Sequence, residues 1–243
     1  MPKPIKKRVQ KKRIPVKEEE IKGTFTRMVE FINERRKTFI IALVSLIAVI
    51  AIFMVGLSYN ASLRKKAYAF EVQAYNYYYG IDIKEALTDK QRWQKALELY
   101  KKSVETKVTP VALFYLGNCY YNLGKYKEAI SEYERFIKRF MNERELLPIV
   151  YQKLAGAYLN SGNREMAFNT LEKLATIENG VFKDTALILE ARYYEGLGET
   201  EKANEKYREL VENFPDSVWF NEANSKVKIA EEAKEGESKS PSP

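Results

Sequence analysis

From Thr38 to Leu63 the chain carries no charged side chain, and the heart of this run, FIIALVSLIAVIAIFMVGLSY at 39–59, is apolar on every side of a helical projection. A helix this long buried in a soluble core normally keeps a polar stripe, and this one has none. At about 1.5 Å rise per residue the run reaches about 31 Å, against about 30 Å of hydrocarbon in a bilayer. Its thirteen strongly inserting residues are together worth roughly −4 to −8 kcal/mol of insertion, which Ser45, Gly56 and Ser58 do not offset. The pattern therefore predicts one transmembrane helix over 38–59. Just before it, Phe25, Met28, Val29 and Ile32 recur at i, i+3, i+4 and i+7, with Arg27, Glu30, Glu34 and Arg35 on other faces. That spacing predicts a short amphipathic helix that either lies in the membrane interface or prolongs the span. The first 22 residues offer almost nothing to bury and are expected to be disordered.

From Ser62 onward the apolar positions follow a helical period, and the chain begins to repeat itself near the period of about 34 residues found in helix-turn-helix solenoids. The clearest unit is PVALFYLGNCYYNLGKYKEAISEYERFIKRFMNE at 110–143. It resembles the tetratricopeptide consensus, with Leu116 and Gly117 at the seventh and eighth positions, Tyr120 at the eleventh, Ala129 at the twentieth and Tyr133 at the twenty-fourth. Small residues at Gly117 and Ala129 let two antiparallel helices cross, tyrosines fill the wider gaps, and Gly124 closes the turn. A second unit begins at Pro148 with Leu154, Ala155, Tyr158, Gly162, Ala167 and Leu171 in register. A third begins near Asp184 with Leu187, Ala191, Tyr194, Gly198, Ala203, Tyr207, Leu210 and a helix-ending Pro215. Ahead of them, 67–80 and 91–104 form a degenerate unit with Ala74, Ala96 and Tyr100 in role and IDIKEALTDK inserted between its helices. After Pro215, SVWFNEANSKVKIAEEAK predicts a capping helix with Trp219 over the end of the stack, followed by a disordered tail.

The predicted organisation is thus all-α: a basic tail with an amphipathic helix over 1–37, a transmembrane helix over 38–59, and a tetratricopeptide solenoid over 60–235. Its units lie near 67–109, 110–147, 148–183 and 184–216, with a cap at 217–235 and a tail at 236–243.

Charge gives this layout a direction. The formal net charge is +8, and residues 1–37 carry all of it, with thirteen Lys/Arg against five Glu. The remainder is neutral, so the repeats have no overall electrostatic reason to bind nucleic acid. Beyond the span only Arg64, Lys65 and Lys66 stand close to the membrane, and the positive-inside rule places the N-terminus in the cytoplasm. The basic tail also meets anionic lipid there, at about 1 kcal/mol per Lys or Arg. A secretory signal has a short basic start and a shorter apolar region than this, so a cleaved leader is not expected. No histidine is present and Cys119 is the lone cysteine, which removes histidine triads, CxxC metal sites and an internal disulfide. No cofactor, metal or catalytic role is expected.

A stack of helix pairs offers a groove built from the first helix of each pair, suited to an extended peptide or a partner helix. Projecting the tetratricopeptide pattern places Phe114, Asn118, Tyr121 and Asn122 in that groove, then Gln152 and Asn160, then Ile188, Arg192 and Glu195. The basic set by which some tetratricopeptide domains clamp a C-terminal carboxylate is reduced to Arg192. The order of parts, a basic tail, the FTRMVEFINERRK helix, one span and a small repeat domain, resembles the ancillary subunit of the bacterial Sec translocon. That resemblance implies a single-pass inner-membrane protein with periplasmic repeats, whose partners are translocon subunits, periplasmic chaperones and emerging clients. GKYKEAISEYERFIKRF and YRELVENFPDSVWFNEA also resemble repeat proteins of the Tol-Pal and outer-membrane-assembly systems, which implies a cell-envelope assembly or division role as the alternative.

Overall fold

In a computed structural model of the protein, residues 18–238 are described; they form ten α-helices and no strand. Expectations for 1–17 and 239–243 lie outside the described residues. The chain divides into two compact units, one ending at Ala61 and one beginning at Ser62.

The first unit holds α1 (Glu18–Glu34) and the greater part of α2 (Arg36–Tyr79). α1 already includes residues 18–22 of the stretch expected to be disordered. Only Arg35 separates α1 from α2. Helical bonds run across it, from Arg35 N–H to Phe31 O at 3.3 Å and from Phe39 N–H to Arg35 O at 3.0 Å. Phe31 is held edge-on to Phe39 and lies 5.3 Å from the Arg35 guanidinium. The apolar run at 39–59 is covered by no protein: Ile52 is 73% exposed and Val55 69%. It is long and apolar enough to cross a membrane.

The second unit is a stack of antiparallel helix pairs. The end of α2 goes with α3 (Asp89–Thr106), α4 (Pro110–Asn122) with α5 (Tyr126–Arg139), α6 (Leu147–Asn160) with α7 (Arg164–Thr176), and α8 (Lys183–Gly196) with α9 (Thr200–Asn213). Each second helix also packs on the first helix of the next pair, and α10 (Phe220–Ser238) closes the series on α9. α10 runs three residues beyond the expected boundary at 235.

The starts are written locally. Thr109 caps α4 by accepting the Ala112 N–H at 3.0 Å, with Pro110 at the first helical position. Thr88 and Gln91 form a capping box at α3. The turn between α4 and α5 needs a left-handed residue, and Gly124 supplies it at φ +72°; Gly162 does the same in the next pair.

Packing within a pair depends on one close approach. A Cβ on Gly117 would stand 2.5 Å from Cε1 of Tyr133, so the tyrosine ring lies directly on the α4 backbone. Ala96, Ala129 and Ala167 are fully buried and Ala203 nearly so, keeping the second helices equally near. Tyr100, Tyr133 and Tyr207 are the largest fully buried side chains. Cys119 sits among Tyr100, Leu116 and Ala112, where burial pushes its thiol well above the ordinary range, so it packs as a small apolar residue.

Two substitutions separate the steric and polar parts of this packing. Gly117→Ala is expected to destabilise by about 1–3 kcal/mol through overpacking against Tyr133. Tyr133→Phe is expected to cost about 1–3 kcal/mol by stranding the Asn118 oxygen it bonds. Both are read as lower urea midpoints at unchanged slope.

Candidate partner-binding face

The first helices of successive pairs lie side by side, and their meeting point is Gly156 on α6. Tyr121 of α4 and Tyr193 of α8 reach it from opposite sides: a Cβ there would meet the Tyr121 hydroxyl at 3.4 Å and the Tyr193 hydroxyl at 3.3 Å. Asn160 Nδ2 donates to the Tyr121 hydroxyl at 2.9 Å and to Gly156 O at 2.8 Å, and the Lys153 ammonium lies 5.6 Å from the Tyr121 ring centre. Burial raises the Tyr193 phenol to about 12 and moves Tyr121 the same way, so both stay protonated donors. Gln152 is half-buried beside this centre and Asn160 is exposed.

Toward the first pair the face turns aromatic. Asn122 Nδ2 donates to the Tyr78 hydroxyl at 3.0 Å, and burial raises that phenol to about 12. Tyr75, Tyr78 and Tyr79 all contact the Tyr115 ring, with Tyr78 edge-on at 5.3 Å. Tyr68, Val111 and Ile149, at the second position of three consecutive units, are 64%, 40% and 41% exposed, and Tyr68 and Val111 line one cavity.

Several projected groove residues are engaged elsewhere. Phe114 lies in the core with Leu113 and Tyr133, and Ile188 is fully buried with Ala223 and Val227 of α10. Asn118 is buried, and its Oδ1 accepts from Tyr133 at 2.6 Å, so its amide satisfies a core phenol. Arg192 is committed to the cap: its Nε and Nη2 donate to the two Glu222 oxygens at 2.9 and 2.6 Å, and its guanidinium lies 4.9 Å from the Trp219 ring centre. Glu195 accepts from Tyr207 at 2.9 Å and pairs with Lys226. These five expected groove residues thus make their contacts within the stack or with α10. Phe114 and Asn118 are drawn into the crossing with α5, and α10 occupies the place beside Ile188, Arg192 and Glu195 that a further first helix would take. Tyr121, Asn122, Gln152 and Asn160 remain on the face. Gly156, Tyr193 and the tyrosines of the first pair were missed. Gly156 was detectable as a glycine at the ninth position, where its neighbours carry Asn118 and Arg192.

Three segments match models of the tetratricopeptide repeat, at 110–142, 149–180 and 185–217, which coincide with α4–α5, α6–α7 and α8–α9. The second unit is therefore a tetratricopeptide-repeat solenoid, a protein-interaction architecture. Similar solved structures include the crystal structure of MamA, 21% identical over 65% of this chain and 100% of that one, with a TM-score of 0.42. The TPR2AB domain in the pHSP90 complex of yeast Sti1 is 16% identical over 67% of this chain and 71% of that one, at 0.39. A thermophilic TPR protein of Thermus thermophilus is 16% identical over 68% of this chain and 98% of that one, at 0.31. No curated protein matches the chain.

The cap contacts carry a pH dependence. The Arg192 bonds hold the Glu222 carboxyl below the usual range, and the Lys226 bond does the same for Glu195. Both titrate lower folded than unfolded, so their support is complete above the ordinary carboxyl range and is lost as pH falls through the depressed values. In a Trp93→Phe background, Trp219 emission is expected to shift red over that acid window. Glu222→Gln is expected to remove part of this transition at a stability cost of at most about 1 kcal/mol, since the pair is partly solvated.

Proposed function

We propose that the protein is a membrane-anchored scaffold whose repeats hold an extended peptide or a helix of a partner protein close to the bilayer. The observation that carries this reading is that the first helices bring together Tyr121 and Asn160, with Gln152 half-buried on the same helix as Asn160, and leave the apolar Val111 and Ile149 exposed at their starts. Such a face offers main-chain hydrogen bonding next to apolar contact, which extended segments need. The uncovered apolar run of α2 supports anchoring, and the basic excess before it supports a cytoplasmic N-terminus with periplasmic repeats at a bacterial inner membrane. Tethering then does the work that affinity alone does not: a groove held near its partner works at an effective concentration of about millimolar, so weak contacts become productive.

The order of parts supports a place beside the Sec translocon, where emerging chains are extended and periplasmic chaperones receive them. The similarity of 124–140 and 207–223 to Tol-Pal and outer-membrane-assembly repeats supports an envelope-assembly role as the second reading.

The test is photocrosslinking from Gln152 and Asn160 in the membrane-embedded chain, with the partners identified. Translocon subunits or translocating chains are the expected partners, and envelope lipoproteins would select the second reading. Tyr121→Ala is expected to reduce the crosslinks several-fold. Repeats that resist protease added from the periplasmic side would overturn both.

A further inference from the structure

At about 100° per residue, α6 turns Tyr151, Leu154 and Tyr158 to one side and Gln152, Gly156 and Asn160 to the other. The second set belongs to the face of the first helices. The first set is the floor of a cleft between α5 and α7, which holds a cavity of about 220 Å³ walled by Ile137 and Met166. What sets this cleft apart is the twenty-third position of its unit. In the groove between α7 and α9 that position is Lys206, whose ammonium reaches Glu190 of α8 at 3.0 Å, so that groove holds its own ion pair. Here it is Thr170, a short side chain only 4% exposed, whose hydroxyl is committed to Met166 O at 2.6 Å. Leu154 stands where α8 carries Glu190. The cleft between α5 and α7 is therefore left open and its floor apolar.

Its charges lie at the rim. α5 and α7, as second helices of successive pairs, run in the same direction, and Lys138 and Lys173 stand in their last turns, both exposed and both lining the cavity. Among the described residues neither is paired with a carboxylate. α6 runs the opposite way, which sets Tyr151 toward the lysine end and Tyr158 toward the other. Glu134, the acidic residue of the rim, stands a turn behind Lys138 and accepts the Tyr158 hydroxyl. Such a site fits an apolar side chain with a carboxylate beside it: the rings, Leu154 and Met166 take the apolar body, and the two ammonium groups take the charge. The cavity is smaller than the about 300 Å³ at which small-molecule sites begin, so it takes one side chain rather than a lipid tail.

We infer that the cleft between α5 and α7 is a second docking site, on the side of the second helices, for an acidic peptide segment that inserts one apolar side chain and sets a neighbouring Asp or Glu against Lys138 and Lys173. It is separate from the face of Tyr121 and Asn160, and its success or failure leaves the reading of that face untouched.

The test uses the full chain in neutral detergent micelles with methyl-labelled methionine, titrated with acetyl-Ala-Phe-Asp-Ala-amide and with versions carrying Asn or Lys for the Asp, or Ala for the Phe. The acidic peptide is expected to shift the Met166 methyl signal saturably while that of Met141 stays in place. The Asn peptide should bind about two- to ten-fold more weakly and the Lys peptide more weakly still. Loss of the Phe ring should cost at least about ten-fold. Salt of about 1 M should bring the Asp and Asn peptides together. Lys138→Gln with Lys173→Gln should do the same at low salt, and Thr170→Met, which restores a long side chain at the twenty-third position, should abolish binding of every peptide. Both lysines are exposed, which keeps the test usable if Thr170→Met folds poorly. No saturable Met166 shift, or equal binding of the Asp, Asn and Lys peptides, overturns the site. A Met166 shift on adding phosphatidylglycerol to the micelles, which the acidic peptide does not reverse, assigns the cleft to lipid and overturns it as well. Crosslinks from Gln152 and Asn160 are expected to survive the double lysine variant; their loss overturns the separateness of the two sites.

Discussion

The repeat unit depends on one close approach, a large side chain at the twenty-fourth position lying on a small residue at the eighth. In α4 and α5 this is Tyr133 on Gly117, with no space for a single added carbon. Leu171 and Ala155, then Tyr207 and Ala191, occupy the same two positions in the later pairs, all buried. Because the second helix of each pair also bears the first helix of the next, an error in one crossing would be passed along the stack. This is why small residues recur where the helices touch.

The same tyrosines connect the core to the face. A phenol buried at a helix crossing carries its hydroxyl toward the first helices, and each of these units deals with that hydroxyl differently: an amide at Asn118, a carboxylate at Glu195, and no partner at Tyr100. Core packing thereby sets part of the chemistry of the first helices. In the middle of the face, Gly156 has the reverse role: the absence of a side chain lets Tyr121 and Tyr193 converge over the α6 backbone, where Asn160 bonds Tyr121.

The helix pairs were legible in the sequence because their determinants are local. Gly117, Ala129 and Tyr133 stand at short fixed spacings, and Thr109-Pro110 and Gly124 mark a start and a turn within a few residues. The long apolar helix was legible because an uncharged apolar run of this length has one regular way to satisfy its own backbone. The contacts of the first helices were only partly legible, because a position there is free or engaged according to what the neighbouring helix brings. Asn118 reads as a groove amide until Tyr133 is seen to donate to it. Arg192 reads as a free cation until Glu222, thirty residues away, takes both of its donor edges. Nothing in the local pattern around Arg192 signals that α10 will lie against it.

The way α10 ends the stack has a consequence for the protein as a population of molecules. A solenoid has an open end by construction, and an uncovered last pair would offer an apolar surface to any complementary surface of another copy, in a head-to-tail contact that need not close. α10 packs Ala223 and Val227 on the last pair, pairs Glu231 with Arg208 of α9, and leaves Asn221, Ser225, Lys228 and Ile229 exposed. The helix that engages Arg192 and Glu195 therefore also covers the end of the stack at which another copy of the chain would otherwise add.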